Sequence, residues 1–231
     1  MYQRIPPQKP ALYVEQALVT DILNGTFPPG STLPAERELS LQLGVTRPTL
    51  REALRRMERD GWLSVQQGKP TLVNDYWKEG GLNLLSSVVR NSQELPSSFI
   101  PNLLEVRLAM APSYTRAAVE KSHVEITSFL EQSKTLDDSP EIYASFDWEL
   151  HKTLTILSNN PIYSMILNGF TGFYEQMGLV YFQPADARVS SKSFYLALQK
   201  AARNKDPEEA EVITRKVMRE SIILWEKASR N

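Results

Sequence analysis

Four arginines recur at four-residue intervals in the first quarter of the chain. They are Arg47, Arg51, Arg55 and Arg59. Residues four apart share one face of an α-helix, and arginine donates hydrogen bonds to phosphates and to guanine edges. Residues 47–59 hold five arginines against two glutamates. The spacing predicts a cationic helix face that binds DNA; the simpler alternative is a solvated face paired with Glu52 and Glu58.

Asp147 and His151 form a second candidate site, because residues one helical turn apart can bind the same metal ion. The chain has no cysteine and one other histidine, His123, at a predicted helix start. The lack of cysteine also excludes disulfides, thiolate metal sites and a cysteine nucleophile. Since two ligands hold a metal ion weakly, an internal Asp–His hydrogen bond is the favoured interpretation of this pair.

A third set of residues combines one arginine, three tyrosines and other polar groups on helices predicted to face one another. The set consists of Arg107, Tyr174, Tyr181, Tyr195, Glu220, Ser221 and Trp225. Each tyrosine alone is more often a core residue with its hydroxyl satisfied. Together these residues predict a large, half-polar cavity inside a helical bundle.

The arginine helix is predicted to be the second helix of a helix-turn-helix. Pro34 suits the first turn of a short helix, and Gly44 suits the left-handed position that ends it. Thr46 caps the next helix, which runs from Arg47 to about Asp60. The apolar residues on its other face would pack against the partner helix. These are Leu50, Ala53, Leu54 and Met57.

A two-stranded hairpin is predicted directly after the arginine helix. Residues 62–65 and 71–73 are strand-like and rich in aromatic and β-branched types. The polar turn between them contains Gly68 and Lys69. Helices followed by such a hairpin are typical of a winged helix-turn-helix, whose wing would bring glycine and lysine to the phosphates.

The rest of the chain is predicted to be helical throughout. One helix is expected to begin at Ser97 or Ser98, with a kink or an interruption at Pro112. Further helices are expected from Ser122 to about Leu136, from Ser139 to about Ser158 and between Asp186 and Asn204. Two long helices are expected to begin at Asn160-Pro161 and at Asp206-Pro207. The predicted fold is mainly α, with an N-terminal winged helix-turn-helix in 1–75 carrying a small β-hairpin. A short linker, 76–81, leads to a C-terminal antiparallel all-α helical bundle in 82–231.

Composition adds few constraints. The 231 residues carry a net charge of −1, with 42% hydrophobic and 23% charged residues, which suits two domains with cores of their own. Residues 1–75 hold nine basic and eight acidic residues, so the DNA-binding prediction depends on spacing and not on composition. The absence of a membrane-spanning run and of a leader sequence predicts a cytoplasmic protein without a membrane partner.

The N-terminal region resembles GntR-family transcription regulators. The likeness lies in residues 27–30, 33–39, 44–47, 49–54 and 60–63. Within that family, residues 67–71 with Val73, Asn74 and Trp77 are most similar to FadR-type fatty-acid regulators, and the likeness continues through 102–107 and 160–163 to Trp225. The resemblance implies a homodimer on an operator of double-stranded DNA, and one helix-turn-helix reads only a half-site.

The resemblance also implies roles for individual residues in DNA binding. Arg37, Arg47 and Arg51 would contact bases and phosphates. Thr46 and Thr49 would position the backbone, and Gly68 and Lys69 would touch the neighbouring groove. The expected DNA-binding set is Glu36, Arg37, Thr46, Arg47, Thr49, Arg51, Gln67, Gly68 and Lys69.

By the same resemblance, the cavity would hold a long-chain acyl-CoA as effector. A hydrocarbon chain gains about 0.8 kcal/mol for each buried methylene, while arginine and tyrosine would meet the thioester and phosphates. FadR-type proteins carry glycine where this chain has Met218, and a methionine there would narrow the tunnel or change the ligand. Repression and activation both remain open.

Two alternatives remain. In the FCD subgroup of the GntR family, an Asp-x-x-x-His pair and two further histidines bind a metal ion. Here the other positions fall at Tyr195 and near Val217 or Met218, so no metal or other cofactor is expected, and a carboxylate sensor is the alternative. A CoA-thioester enzyme would need an activated nucleophile or an acid–base pair, and the sequence shows neither, so the chain is predicted not to be an enzyme.

Overall fold

Three helices precede a short hairpin in the N-terminal part of the protein, and two short helices follow it. The computed structural model describes residues 10–91, 98–171 and 173–228, which fall into two compact units that divide between Leu95 and Pro96. The first unit contains α1 (Pro10–Leu23), α2 (Glu36–Gln42), α3 (Arg47–Asp60), β1 (Leu63–Ser64), β2 (Leu72–Val73), α4 (Tyr76–Glu79) and α5 (Leu82–Asn91).

Local capping signals set the bounds of α3, as predicted. The Thr46 hydroxyl accepts a hydrogen bond from the backbone N–H of Thr49 at 3.4 Å, and Gly61 ends the helix with a left-handed φ of 96°. Gly44, before the helix, is also left-handed, with φ of 65°. Pro34 was placed wrongly in the first turn of α2, because it lies before the N-cap residue, Ala35.

The predicted hairpin is confirmed. β1 pairs antiparallel with β2, with Leu63 opposite Val73. Thr32 forms an isolated bridge with Leu72 on the other edge of β2. Gly68 adopts a φ of 77° in the turn, a conformation that a residue without a Cβ adopts at little cost.

The second unit is a bundle of six helices within the described residues. They are α6 (Phe99–Glu131), α7 (Pro140–Leu157), α8 (Pro161–Asn168), α9 (Phe173–Phe182), α10 (Ala185–Arg203) and α11 (Pro207–Ala228), with a 3-10 turn at Gln132–Thr135. α6 packs against α7, α10 and α11, while α8 and α9 both pack on α7. The mainly α fold class is confirmed. Ser139 and Asn160 cap their helices through side-chain oxygens, as predicted.

Two expectations for this unit were wrong. Pro112 lies inside α6 without interrupting it. The non-helical backbone is instead at Ser122, with φ −143° and ψ 42°, where the start of a separate helix was predicted. Because Pro112 is buried, core packing offsets the hydrogen bond that proline removes. The helix that begins after Asn160 is short, with eight residues, and a separate helix, α9, follows it.

The place of α5 differs from the predicted domain division, which assigned residues 82–231 to the bundle. In the structure α5 falls in the first unit and contacts α1. Its Leu84 and Val88 are buried, and the indole N–H of Trp62 donates to the Ser87 hydroxyl at 3.3 Å. Within the described residues, no helix is long and apolar enough to cross a membrane.

Candidate DNA interface and effector cavity

A single carboxylate holds the two arginines at the start of α3. Arg51 Nε donates to Glu36 Oε2 at 2.8 Å, and Arg47 Nη2 lies 3.6 Å from the same oxygen. The two arginine side chains are slightly more than half exposed. Exposed ion pairs of this kind contribute little to stability, so both guanidinium groups remain available to a phosphate or a base.

The remaining arginines extend this surface along α3. Arg51, Arg55 and Arg59 line one shallow groove. In the alternative of a solvated face, the predicted partners Glu52 and Glu58 are wrong, while the solvated face itself stays an alternative. Glu52 pairs with Arg56, outside the four-residue series, and Glu58 accepts a hydrogen bond from the backbone N–H of Val65 at 3.2 Å.

The other predicted DNA-binding residues also lie in the first unit. The hydroxyls of Thr46 and Thr49 are 2.9 Å apart at the start of α3. Gln67, Gly68 and Lys69 are exposed in the hairpin turn. Arg37 is exposed on α2. The arrangement presents backbone, hydroxyl and cationic donors, but contact of these residues with DNA stays a prediction.

The bundle contains a buried polar cluster centred on Asp147. Arg107 Nη2 donates to Asp147 Oδ2 at 2.8 Å, and the Tyr195 hydroxyl donates to Oδ1 at 2.9 Å. The Tyr174 hydroxyl also donates to Oδ2, and the Arg107 guanidinium lies 5.1 Å from the centre of the Tyr174 ring. One carboxylate therefore joins side chains from α6, α7, α9 and α10.

Close approach of α9 to α7 positions Tyr174 beside Asp147. A Cβ added to Gly178, one turn after Tyr174, would lie only 3.0 Å from Ala144 Cβ on α7. Trp148 packs against the Tyr174 ring, with ring centres 5.0 Å apart. Glycine at 178 therefore permits a helix separation that a larger residue would widen.

The electrostatic environment of this cluster favours an ionised Asp147 paired with the Arg107 cation. Burial raises the pKa of Asp147, but attraction to His151 when protonated, to Arg107, and the hydrogen bonds from the tyrosines outweigh it and lower the pKa. Burial and the Arg107 charge lower the pKa of His151 to about 3, against an opposing effect of Asp147. At neutral pH the cluster is an Asp147 anion, an Arg107 cation and a neutral His151.

The predicted Asp147–His151 hydrogen bond is wrong. His151 Nε2 lies 3.8 Å from Asp147 Oδ2, beyond hydrogen-bonding distance. Instead, His151 Nδ1 is 2.7 Å from the Tyr114 hydroxyl, and Nε2 has no partner among the described residues. Across all the residues that the structure describes, no three His, Cys, Asp or Glu side chains are grouped so that they could hold a metal ion.

An apolar cavity of about 100 Å³ adjoins the cluster. Five residues of the predicted ligand set line it: Arg107, Tyr174, Tyr181, Ser221 and Trp225. Two members do not. Tyr195 is fully buried behind Asp147, and Glu220 is exposed on α11. Burial raises the pKa of the Tyr181 hydroxyl, and the charges of Asp147 and Glu220 add to this rise.

Several residues that line the cavity were not predicted from the sequence. Met218, in contrast, was considered as a residue of the ligand tunnel. The missed residues include Leu103, Met110, Tyr114, Tyr163, Ile166, Leu167, Phe170 and Phe173. The spacing of Leu103, Arg107, Met110 and Tyr114 along α6 is that of one helix face, which was a usable signal. Met218 is buried in the bundle core and does not line the cavity.

Comparison with known proteins covers the chain nearly end to end. Residues 10–73 match the family of bacterial regulatory proteins described as the gntR family, and residues 74–231 match the FadR C-terminal domain. The chain is 42% identical over 218 residues to the fatty acid metabolism regulator protein of Shewanella amazonensis, which covers 94% of this chain and 91% of that protein. Against the protein of the same name from Pasteurella multocida, identity is 43% over 222 residues, covering 94% and 90%.

A solved structure shares the fold at low identity. The structure of Lar, which controls the expression of the Listeria monocytogenes agr system, matches with a TM-score of 0.57 and 15% identity, covering 98% of this chain and 99% of that one. At this identity the likeness concerns the fold alone. The two sequence relatives are named as regulators and not as enzymes, which confirms the prediction that the chain is not an enzyme.

Proposed function

We propose that this chain, which belongs to the GntR family of bacterial transcription regulators and carries a FadR C-terminal domain, senses long-chain acyl-CoA. In this proposal a cytoplasmic homodimer binds an operator at genes of fatty-acid metabolism and releases it when the effector binds. The observation that carries the proposal is the bundle cavity, whose walls are apolar except for a few hydroxyls and Arg107.

The cavity lining suits a hydrocarbon chain that ends in a polar group. Side chains of leucine, isoleucine, methionine and phenylalanine from α6, α8 and α9 supply most of the walls, and each buried methylene would contribute about 0.8 kcal/mol. The Tyr181 hydroxyl and the indole of Trp225 supply polar atoms for a thioester, while the Ser221 hydroxyl already donates to the Met218 carbonyl at 2.8 Å. A small dicarboxylate would gain little from such walls, which disfavours the carboxylate-sensing alternative.

The cavity must expand to hold such a ligand. Its volume of about 100 Å³ is well below the range of roughly 300–1,000 Å³ that is common for ligand sites. α8 has no buried residue, so it can move at the lowest cost in lost packing. A ligand that separates these helices shifts the protein between two conformations, and it does so only by its differential affinity for them.

The DNA-binding half of the proposal is supported by the α3 arginines and the hairpin. A homodimer would place two such surfaces on two half-sites, which one helix-turn-helix cannot read alone. Cations at Arg47, Arg51 and Lys69 would meet phosphates and base edges. Repressor and activator roles depend on where the operator lies relative to a promoter.

The test is operator release titrated with acyl-CoAs of graded chain length. The operator is first selected from a pool of random DNA duplexes with purified protein, and release is followed by fluorescence anisotropy at one salt concentration. We expect long-chain acyl-CoA to release the operator, with free CoA and free fatty acid far weaker and the thioester recovered intact. No release and no heat of binding at any chain length would refute acyl-CoA sensing.

A pair of conservative variants ties the effect to the cavity. Tyr181→Phe removes one cavity hydroxyl and keeps the ring, so acyl-CoA affinity should fall by about 0.5–1.5 kcal/mol. Tyr13→Phe makes the same change at an exposed position in the first unit and should leave release unchanged. Equal effects of both variants would place the ligand elsewhere.

A further inference from the structure

The cavity has a defined end where two tyrosines meet. Along α6 the lining residues run from Ile100 to Tyr114, and along α8 they begin with Tyr163. The rings of Tyr114 and Tyr163 are in edge-to-face contact, with centres 5.6 Å apart and planes at 65°. Each tyrosine is therefore the last lining residue of its helix in this direction, and their ring contact marks that end of the lining.

Behind this pair the buried surface becomes polar. α7 presents a buried polar face at helical spacing, formed by His151, Thr155 and Ser158. Ser164, next to Tyr163, donates to the Thr155 hydroxyl at 3.2 Å. Thr115, next to Tyr114, is fully buried and its hydroxyl has no partner within the described residues.

A hydrocarbon chain gains nothing by passing this boundary. Methylenes placed against His151 Nε2 and the Thr115 hydroxyl, which have no partner within the described residues, would keep water away from these groups, which is unfavourable. The Tyr114 ring is also fixed in place, because its hydroxyl is hydrogen-bonded to His151 Nδ1 at 2.7 Å. Tyr163 has no such constraint from His151 and is only half-buried.

A second, more polar part of the lining, on the side away from the tyrosine pair along the chain, comes from α9 and α11. Tyr181 on α9 is half-buried and Ser221 and Trp225 on α11 are buried, whereas Glu220, next to Ser221, is exposed. A thioester with a bulky, charged CoA group has to remain near solvent, so it belongs on this side. The methyl end of the chain then points toward the tyrosine pair.

From these contacts we infer that the Tyr114–Tyr163 pair is the end wall of the acyl-chain site and sets the longest chain that the protein accepts. His151 is a positioning residue that acts through Tyr114. The inference rests on the proposed acyl-CoA function and names the residues that limit chain length.

The test compares chain-length profiles of three variants at the same helix. Tyr163→Ala removes the half of the wall that is not anchored by His151, while Tyr163→Phe keeps the ring. Ile162→Ala changes the adjacent, outward-facing residue of α8, which is 56% exposed. Dissociation constants are measured by calorimetry for saturated acyl-CoAs in steps of increasing length, and thermal melting checks that each variant is folded.

We expect Tyr163→Ala to move the optimum to longer chains and to raise affinity for them by about fourfold for each methylene newly accommodated, from about 0.8 kcal/mol per methylene. Tyr163→Phe and Ile162→Ala should keep the wild-type profile. If Tyr163→Ala does not fold, Tyr163→Leu makes a smaller opening, with a smaller shift in the same direction.

Each other outcome overturns the inference. An unchanged profile in Tyr163→Ala would show that this pair does not limit the chain. An equal loss at all chain lengths would place the CoA end, and not the methyl end, beside Tyr163. Failure of the wild-type protein to bind any acyl-CoA would instead refute the proposed function, and so the two failures are distinguishable.

Discussion

Arginine forms a 2.8 Å ion pair with a carboxylate in both units of this protein, but in opposite surroundings. The side chains of Arg51 and Glu36 are 54% and 33% exposed, whereas those of Arg107 and Asp147 are 18% and 7% exposed. The exposed pair contributes about 0–1 kcal/mol and exchanges easily for another anion. The buried pair cannot be opened without leaving a charge unsatisfied. The same ion-pair distance is therefore found in one arginine that can be exposed to other anions and in one that is fixed within the bundle.

Removal of the buried Asp147 carboxylate should have the largest effect on the free energy of unfolding. Asp147→Ala leaves the Arg107 charge and two tyrosine hydroxyls without an acceptor, so the free energy of unfolding should fall by about 3–5 kcal/mol. Urea denaturation measures the change. Glu36→Ala, its exposed counterpart, should lower it by no more than about 1 kcal/mol. Similar losses in the two variants would contradict the comparison.

A double replacement separates loss of a charge pair from loss of packing. Arg107→Met with Asp147→Leu removes both charges and keeps apolar volume in the cluster. Such replacements of buried pairs are often neutral or stabilising, and the double variant should be more stable than Asp147→Ala.

The pH dependence of the free energy of unfolding should be dominated by His151 in the buried polar cluster. The pKa of His151 is about 3 in the folded protein, against 6.5 unfolded, so the unfolded chain binds more protons between these values. Stability due to the neutral ring is then present above pH 6.5 and lost as pH falls toward 3, by about 1.4 kcal/mol per pH unit and about 3 kcal/mol at pH 4.

Urea denaturation between pH 7 and pH 4 measures this slope against a matched variant. His151→Asn can still accept from the Tyr114 hydroxyl and should flatten the slope. His123→Asn, outside the cluster, should retain it. A wild-type slope in His151→Asn would show that other groups cause the pH dependence.

Changes at the exposed arginines should affect DNA binding and leave folding intact. Arg51→Ala should weaken operator binding by about 1–3 kcal/mol if it makes a bidentate base contact, while the unfolding free energy changes by less than about 0.5 kcal/mol. Lys69→Ala should instead weaken binding to all sequences evenly and lower the salt slope by about one. Unchanged operator affinity in an Arg47→Ala, Arg51→Ala double variant would rule out this interface.

Sequence signals were most accurate where structure depends on neighbours in the chain. The bounds of α3, the Thr46 cap, the left-handed Gly44 and the hairpin were all predicted, because capping and turn chemistry act within a few residues. The interruption assigned to Pro112 failed for the opposite reason. Its effect depended on burial in the bundle, which the local sequence pattern does not reveal.

The cavity was predicted only in part, since its members come from distant segments. Arg107, Tyr174 and Trp225 were predicted from their residue types, but Tyr114 and Tyr163 were not, because a tyrosine in a helix is most often an ordinary core residue. Met218 was considered as a residue of the ligand tunnel, but its side chain lies in the core of the bundle.

The sequence by itself determined the arginine helix, the hairpin that follows it and the helical class of the bundle, since these follow from local preferences and the apolar period. Only the tertiary structure decided the partners of Asp147. Its donors lie 40 residues before it and 27 and 48 residues after it, and its neighbour at helical spacing, His151, bonds to Tyr114 instead. The packing of the helices determines which of these distant donors bind Asp147, because a buried carboxylate must accept hydrogen bonds from groups that lie close to it in the folded bundle.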